Sequence, residues 1–342
     1  MIQIIDPTIY PGWDKLLATN AQSTFFHTAA WARTLCNSYR YKPLYFTTTT
    51  GDTLTGLIAV MEVNSFLTGK RGVSLPFTDR CEPLAADADQ FDTLLQTVVR
   101  YGKEAGWQSL QVRGGDGYLQ ESLAEETFLN HVLALSGTAD EIFSAFRGST
   151  RRNIRKAEKQ AVTVEKRHDP DAVKAFYRLN CMTRREHGLP PQPCGFFRNL
   201  HDQVVSQKKG CVLLAAHKGR TVAGAVYLFY QDKAIYKYGA SDKTYQQLRA
   251  NNLIMWEAIK TCAAANVTTF DFGRTDLDHE GLRRFKSGWG TIEKTDRYYR
   301  YDFKRGDFVQ KAGGPKSSYA VFKHMPMPLL KLSGRVLYKH VG

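Results

Sequence analysis

Residues 211–240, CVLLAAHKGRTVAGAVYLFYQDKAIYKYGA, carry the clearest pattern in this chain, and the segments after them extend it. Residues 212–216 form an apolar run, Lys218-Gly219-Arg220 a turn, and residues 222–230 a second apolar run. Gln231-Asp232-Lys233 turns the chain once more, into a strand over 234–239. A helix is predicted from near Asn251, whose side chain can cap free amides, to near Asn266. Leu253, Trp256, Ile259 and Ala263 recur at three- and four-residue steps, which gives this helix one buried face. A strand over 267–272 comes next, running into Asp271-Phe272-Gly273-Arg274. Phe285-Lys286-Ser287-Gly288-Trp289-Gly290 and a closing strand over 297–303 complete the pattern.

The first half repeats this plan. Strands are predicted over 44–47, 54–63 and 73–77, with a turn at Gly51-Asp52. A helix over 87–106 carries Phe91, Leu94, Leu95, Val98 and Val99 on one face and ends at Gly106. A strand over 107–113 ends at Gly114-Gly115, as 267–272 ends at Gly273, and 131–136 is the expected closing strand. Helices over 29–39, 171–187 and 196–208 precede the two sheets. The expected division is 1–146, 147–310 and a basic amphipathic tail over 311–342.

A chain of 342 residues suits two domains, and 43% hydrophobic with 23% charged residues is ordinary for a folded protein. No run approaches the ~20 apolar residues of a spanning helix, and the start has no secretory pattern. Cys36, Cys81, Cys181, Cys194, Cys211 and Cys262 are scattered without a C-x-x-C pair, so neither a metal site nor a disulfide framework is expected and a cytoplasmic location is. The formal charge of +14 favours phosphate-bearing partners: nucleic acid, nucleotide-sugars or anionic lipid headgroups. Between the halves, Arg152, Arg155, Lys156 and Lys159 share one helical face, with only Glu158 nearby to offset them. That face reads either as an anion site or as a solvated surface.

Three segments together resemble the FemAB/FemX-like branch of the GNAT acyltransferases. They are Leu75-Pro76-Phe77-Thr78-Asp79, the R-R-N-I-R-K-A-E-K run from Arg151 to Lys159, and Asp271-Phe272-Gly273-Arg274 with the later F-K-x-x-W-G. The resemblance implies an α/β protein of tandem GNAT-like domains, each a mixed, largely antiparallel sheet flanked by helices. It also implies N-acyltransfer, acyl or aminoacyl, to an amine on a cell-envelope precursor of the peptidoglycan or exopolysaccharide type. Two alternatives stand beside it: a non-catalytic polyanion-binding protein, and a conventional acyl-CoA-dependent acetyltransferase. No permanently bound cofactor is implied, and the donor is an aminoacyl-tRNA or an acyl-CoA. The Q/R-x-x-G-x-G/A loop that holds a CoA pyrophosphate is replaced here by Gln247-Leu248-Arg249-Ala250-Asn251-Asn252, which favours the tRNA donor.

Acyl transfer needs a neutral amine, an electrophilic carbonyl and stabilisation of the oxyanion. The resemblance directs attention to the region of Tyr238 for oxyanion donors and to Lys286 for a cation at phosphate or oxyanion. Asp276, in a polar loop with Asp278, His279 and Glu280, is a candidate base. Arg274, Trp289, Arg152, Arg155, Lys156, Phe77 and Asp79 are the expected substrate contacts, although a tryptophan such as Trp289 more often packs, as core or cleft wall, than binds. Expected partners are tRNA, a nucleotide-sugar or a lipid-linked precursor. In the tail, Leu329, Leu332, Val336 and Leu337 alternate with Lys331, Arg335, Lys339 and His340. That helix either docks on an anionic membrane at the inner leaflet or packs on the protein.

Overall fold

The computed structural model describes residues 1–310 and 320–341. In chain order the first half runs β1 (Gln3–Ile5), α1 (Trp13–Leu17), α2 (Ala29–Tyr39), β2 (Lys42–Thr50), β3 (Thr53–Ser65), β4 (Gly69–Val73), α3 (Ala88–Glu104), β5 (Ser109–Arg113) and β6 (Ala124–Ala134). Next come α4 (Ala139–Ala145), α5 (Gly148–Lys159), β7 (Thr163–Arg167), α6 (Pro170–Glu186) and α7 (Cys194–Leu200). The second half continues with β8 (Gly210–His217), β9 (Arg220–Tyr230), β10 (Lys233–Ser241), α8 (Ala250–Ala264), β11 (Thr269–Asp276) and α9 (Glu280–Ser287). The chain ends with β12 (Ile292–Asp302), β13 (Asp307–Phe308) and α10 (Met327–Val341).

Two compact units result, which correct the expected boundaries. Unit 1 is Met1–Phe128, Thr295–Lys316 and Val336–Gly342; unit 2 is Leu129–Lys294 and Ser317–Arg335. The physical reason is that the closing strands are exchanged. The late strand β12 pairs with β5, Tyr298 opposite Arg113 and Asp302 opposite Ser109, so it completes unit 1. The second part of β6 lies beside β11 in unit 2, where Leu135 N–H donates to Thr268 O (2.8 Å) and Asn130 Nδ2 to Asp271 Oδ2 (3.2 Å).

Unit 1 orders its strands β1-β2-β3-β4-β5-β12, antiparallel except for the short parallel pair β4 and β5. The third predicted strand stops at Val73, because Leu75 (φ 52°) and Phe77 (φ 60°) take left-handed conformations that break the ladder. Helix α3 lays Phe91, Leu94, Leu95 and Val98 against Phe46, Ile58, Leu110 and Tyr299. Apolar positions at helical spacing thus close one face of the sheet.

Unit 2 runs β6-β11-β10-β9-β8-β7, again antiparallel apart from one parallel pair, β10 and β11. Its central helix α8 is buried almost all round: Leu253, Ile254, Met255, Trp256, Ala258, Ile259 and Cys262 are all inside, not one stripe. The sheet covers one side of it and α5 another, through Ile154 and Ala157. Helices α6 and α7 cover the opposite face of the sheet.

Helix α10 packs on the protein, one of the two outcomes its sequence allowed. Leu330 and Gly334 face inward in unit 2, and a methyl at Gly334 would collide with the Pro191 carbonyl. In unit 1, His340 is buried 2.9 Å from Ser65 Oγ, which removes it from the expected surface set. Leu329, Leu332 and Val336 remain exposed. No helix among the described residues is long and apolar enough to cross a membrane.

Candidate active site

The strands β10 and β11 of unit 2 run parallel only from Lys233–Thr269 to Ile235–Asp271, and there their pairing ends. Beyond that point β10 stays with β9, through a bulge between Tyr236 and Tyr238, out to Ser241. A β-bulge twists its strand and re-aims side chains. On the other side, β11 bends at Gly273, whose φ of 69° suits glycine. Asp271 Oδ1 accepts the Gly273 N–H at 2.6 Å, and Lys286 Nζ donates to Gly273 O (2.6 Å) and Arg274 O (3.1 Å). The two central strands therefore diverge as a V, and Lys286 fixes one arm.

This geometry explains the F-K-x-x-W-G run residue by residue. Phe285 packs on the core at the end of α9, and Lys286 is buried at 2% exposure, so it is a tether from α9 to β11 and not a free surface cation. Gly288 lets α5 approach: Thr150 Oγ1 donates to Gly288 O at 3.0 Å, and any β-carbon at Gly288 would meet that hydroxyl. Trp289 is fully buried against Phe146, Phe272 and Phe285, which corrects its expected role as a substrate contact. Its large ring is the centrepiece of an aromatic cluster and has no surface to offer.

At the open end of the V stands the N-terminus of α8. Its first residue comes after Arg249, which takes the left-handed conformation (φ 61°) and gives the helix no side-chain cap. A non-glycine residue there costs about 1–3 kcal/mol. The uncapped amides and the helix dipole make this end electropositive, and the exposed Arg249 adds charge. Asn251 Nδ2 donates to Ser241 Oγ at 3.2 Å and ties the helix start to the end of β10. Glycine is absent from this loop, yet its backbone adopts a turn that glycine favours.

Tyr238 points to the α7 side, its ring 5.7 Å from Phe197 and 6.2 Å from Phe196. Tyr236, which sequence reasoning passed over, is the better placed phenol. It leans along β10 so that its hydroxyl covers Gly239, where even a methyl group would overlap it. Burial pushes its pKa up to about 12, so it is protonated, and a proton donor, at neutral pH. No local pattern marks it, since the bulge that brings its hydroxyl over Gly239 exists only in the folded strand.

A second overlooked group lies beside Lys286. His131 on β6 is fully buried, with Nε2 3.2 Å from Glu293 Oε2, and Arg283 grips the same carboxylate with two N–H donors at 2.7 Å each. Burial, then the Lys286 charge, lowers the His131 pKa against the pull of Glu293. Arg283 holds Glu293 below the usual carboxylate range. The imidazole is thus neutral at pH 7 and braces the strand next to the V.

The other expected residues lie apart from one another. Arg274 and Asp276 are exposed on the bent arm of β11. Arg152, Arg155, Lys156 and Lys159 form the exposed face of α5, Arg155 lying 5.6 Å over the Phe143 ring. Phe77 and Asp79 belong to unit 1, where Phe77 packs on Tyr39 and Tyr338 (5.0 and 5.5 Å) and the Asp79 carbonyl accepts from Tyr298 Oη (2.5 Å). Phe77 is thus committed to packing within that unit, and Asp79 is held there through its backbone.

Residues 144–287, which contain the V, α8 and Lys286, match the acetyltransferase (GNAT) domain family. Among curated proteins, lipid II:glycine glycyltransferase of Staphylococcus epidermidis is 38% identical over 80 residues, 22% of this chain and 19% of the relative. The chain thus spans about a fifth of the length of that relative. Among solved structures, FemX superposes with a TM-score of 0.69 at 15% identity, over 86% of this chain and 96% of FemX. A tandem GNAT protein from the clavulanic acid biosynthesis pathway superposes at 0.54 and 8% identity, over 93% of this chain and all of its own (100%). The chain has a tandem GNAT fold, and its similarities point to the FemAB-like branch.

Proposed function

We propose that the protein is an aminoacyltransferase that moves an aminoacyl group from tRNA to an amine of a lipid-linked peptidoglycan precursor, with the V of unit 2 as the reacting site. The divergence of β10 and β11 carries this reading, because a parallel pair that parts after three residues opens a polar slot in the middle of the sheet. The amine nitrogen attacks the ester carbonyl carbon, forming a C–N bond and an oxyanion. The C–O bond to the ribose then breaks, the leaving oxygen takes a proton, and the amine gives one up. Backbone N–H groups of β10 at the V are suited to the oxyanion, and Tyr236 to proton donation at the leaving oxygen. Asp276, exposed at the end of β11, is the candidate acceptor of the amine proton.

Three further features support the choice of donor and acceptor. The electropositive start of α8 suits phosphate, and the exposed cationic face of α5 suits a nucleic-acid backbone. The named relative, a lipid II:glycine glycyltransferase, acts on a lipid-linked precursor. Exposed Leu329 and Leu332 beside Lys331 and Arg335 on α10 suit peripheral contact with an anionic leaflet, where such an acceptor resides.

The test is single-turnover transfer from radiolabelled aminoacyl-tRNA to a lipid-linked pentapeptide, with acetyl-CoA in a parallel reaction. Label in the precursor, dependent on Tyr236, is expected. Transfer from acetyl-CoA alone would make the protein an acetyltransferase. Tight tRNA binding without transfer from any donor would make it a polyanion-binding protein.

A further inference from the structure

Away from the V, between α6 and α7 of unit 2, lies a cavity of about 310 Å³. Val173, Tyr177 and Phe197 form its walls, and Lys174 and Arg198 stand at its edge. Lys331 of α10 reaches the same place, its Nζ 5.5 Å over the Tyr177 ring. Of the two acids nearby, Asp202 is taken up by His201 at 2.7 Å and Asp171 by Lys174 at 3.0 Å. Exposed Arg198 and Lys331 supply the remaining charge. An aromatic and aliphatic pocket with cations at its mouth matches a molecule that is apolar at one end and anionic at the other.

We propose that this cavity binds the chain of a single-chain anionic amphiphile, with its phosphate or carboxylate head at Arg198 and Lys331. Its volume is near the lower end of ligand pockets, about 300–1,000 Å³, so it takes one chain and not two. This site does not depend on the acyl-transfer reading. The helix α7 that forms one wall runs directly into a π-turn over His201–Val205, which swings His201 and Asp202 to the same edge.

The cavity contains its own reporter. Cys194 lines it and is the one exposed cysteine among the described residues. Alkylation of the full chain by N-ethylmaleimide, followed by intact and peptide mass spectrometry, reads whether the cavity is filled. Dodecyl phosphate and laurate, below their micellar concentrations, should slow Cys194 modification at least five-fold and saturably. Dodecyl maltoside and dodecyltrimethylammonium, with the same chain, should need ten-fold more to do so. Which anionic head protects better distinguishes a phosphate from a carboxylate ligand. The double variant Arg198→Glu, Lys331→Glu changes only exposed side chains and should erase the preference for an anionic head. Val173→Trp should abolish protection by filling the cavity. Equal protection by all four amphiphiles, no protection by any, or full protection by inorganic phosphate alone would each overturn the proposal.

Discussion

The two units contain the same strand divergence and use it oppositely. In unit 1, β4 and β5 pair in parallel only from Arg71–Ser109 to Val73–Gln111 and then part, as β10 and β11 do in unit 2. Unit 1 fills its opening with its own chain. Ser74 N–H donates to Gln111 O (2.8 Å) and Cys81 N–H to Arg113 O (2.9 Å), so the L-P-F-T-D run is laid along β5. The Arg113 guanidinium donates to Leu75 O (3.3 Å) and Thr78 O (3.0 Å). Arg80 binds Glu82 (2.6 Å), Asp116 (3.4 Å) and the buried Asp296 (2.8 Å). The next helix in each unit differs in the same sense. The start of α3 is capped by the Asp87 carboxylate, which accepts from Gln90 N–H at 2.8 Å, whereas α8 starts uncapped behind Arg249. A carboxylate at a helix start repels the anion that an open start attracts. The filling of the divergence, and not the fold, decides which unit keeps an open slot in its sheet.

The largest contrast should come from the two cations that hold these openings. Lys286→Met leaves the Gly273 and Arg274 carbonyls without their donor and frees the arm of the V. Transfer should fall at least 100-fold, and unfolding stability by about 1–3 kcal/mol. Arg113→Met in unit 1 should cost similar stability with activity within a few-fold of wild type. Chemical denaturation and single-turnover rates on both variants check the pair, and equal losses of activity would erase the distinction.

Gly239→Ala sharpens the role of Tyr236. The added methyl must displace the phenol, so the rate should fall about 10- to 100-fold for loss of one placed proton donor. The double variant Gly239→Ala, Tyr236→Phe should be no slower than Tyr236→Phe alone. Fully additive losses would show that the glycine matters for another reason.

The helix starts give a smaller and opposite pair of effects. Arg249→Gly relieves a left-handed side chain, less the added freedom of glycine in the unfolded chain, and should stabilise unit 2 by about 1 kcal/mol while weakening donor binding. Asp87→Ala should destabilise unit 1 by about 1 kcal/mol without changing donor binding. Thermal unfolding and donor titration of each variant read both quantities.

The smallest effect is on pH dependence. The folded-state pKa of His131 is lowered, so the unfolded chain binds the proton more readily. The stability contributed by the neutral imidazole is present above about pH 6.5 and declines as pH falls below it. His131→Gln should flatten the stability profile between pH 7 and 5; an unchanged slope would assign it to other histidines.

Much of this molecule can be read from local pattern. The exposed face of α5 comes from helical spacing alone, and α2 begins and ends where its residues predict. The exchange of β6 and β12 was not readable, since alternation shows that a segment is a strand but not which strand it joins. Residues 74–77 read as strand because nothing local announces that Leu75 and Phe77 turn left-handed. Lys286 and Trp289 stood out as a motif, but only packing shows one to be a tether and the other core. Tyr236 and His131 carry no local signature: one is defined by Gly239 across a bulge, the other by Glu293 from a distant segment.

The most direct test of the account is amide hydrogen exchange on the full chain, with and without a saturating non-hydrolysable aminoacyl-nucleotide analogue. The account predicts protection of the amides of residues 236–240 and 250–252, around the V of unit 2, and none at residues 74–80 in unit 1. Protection confined to residues 74–80, or none at the V when binding is saturated, would contradict it.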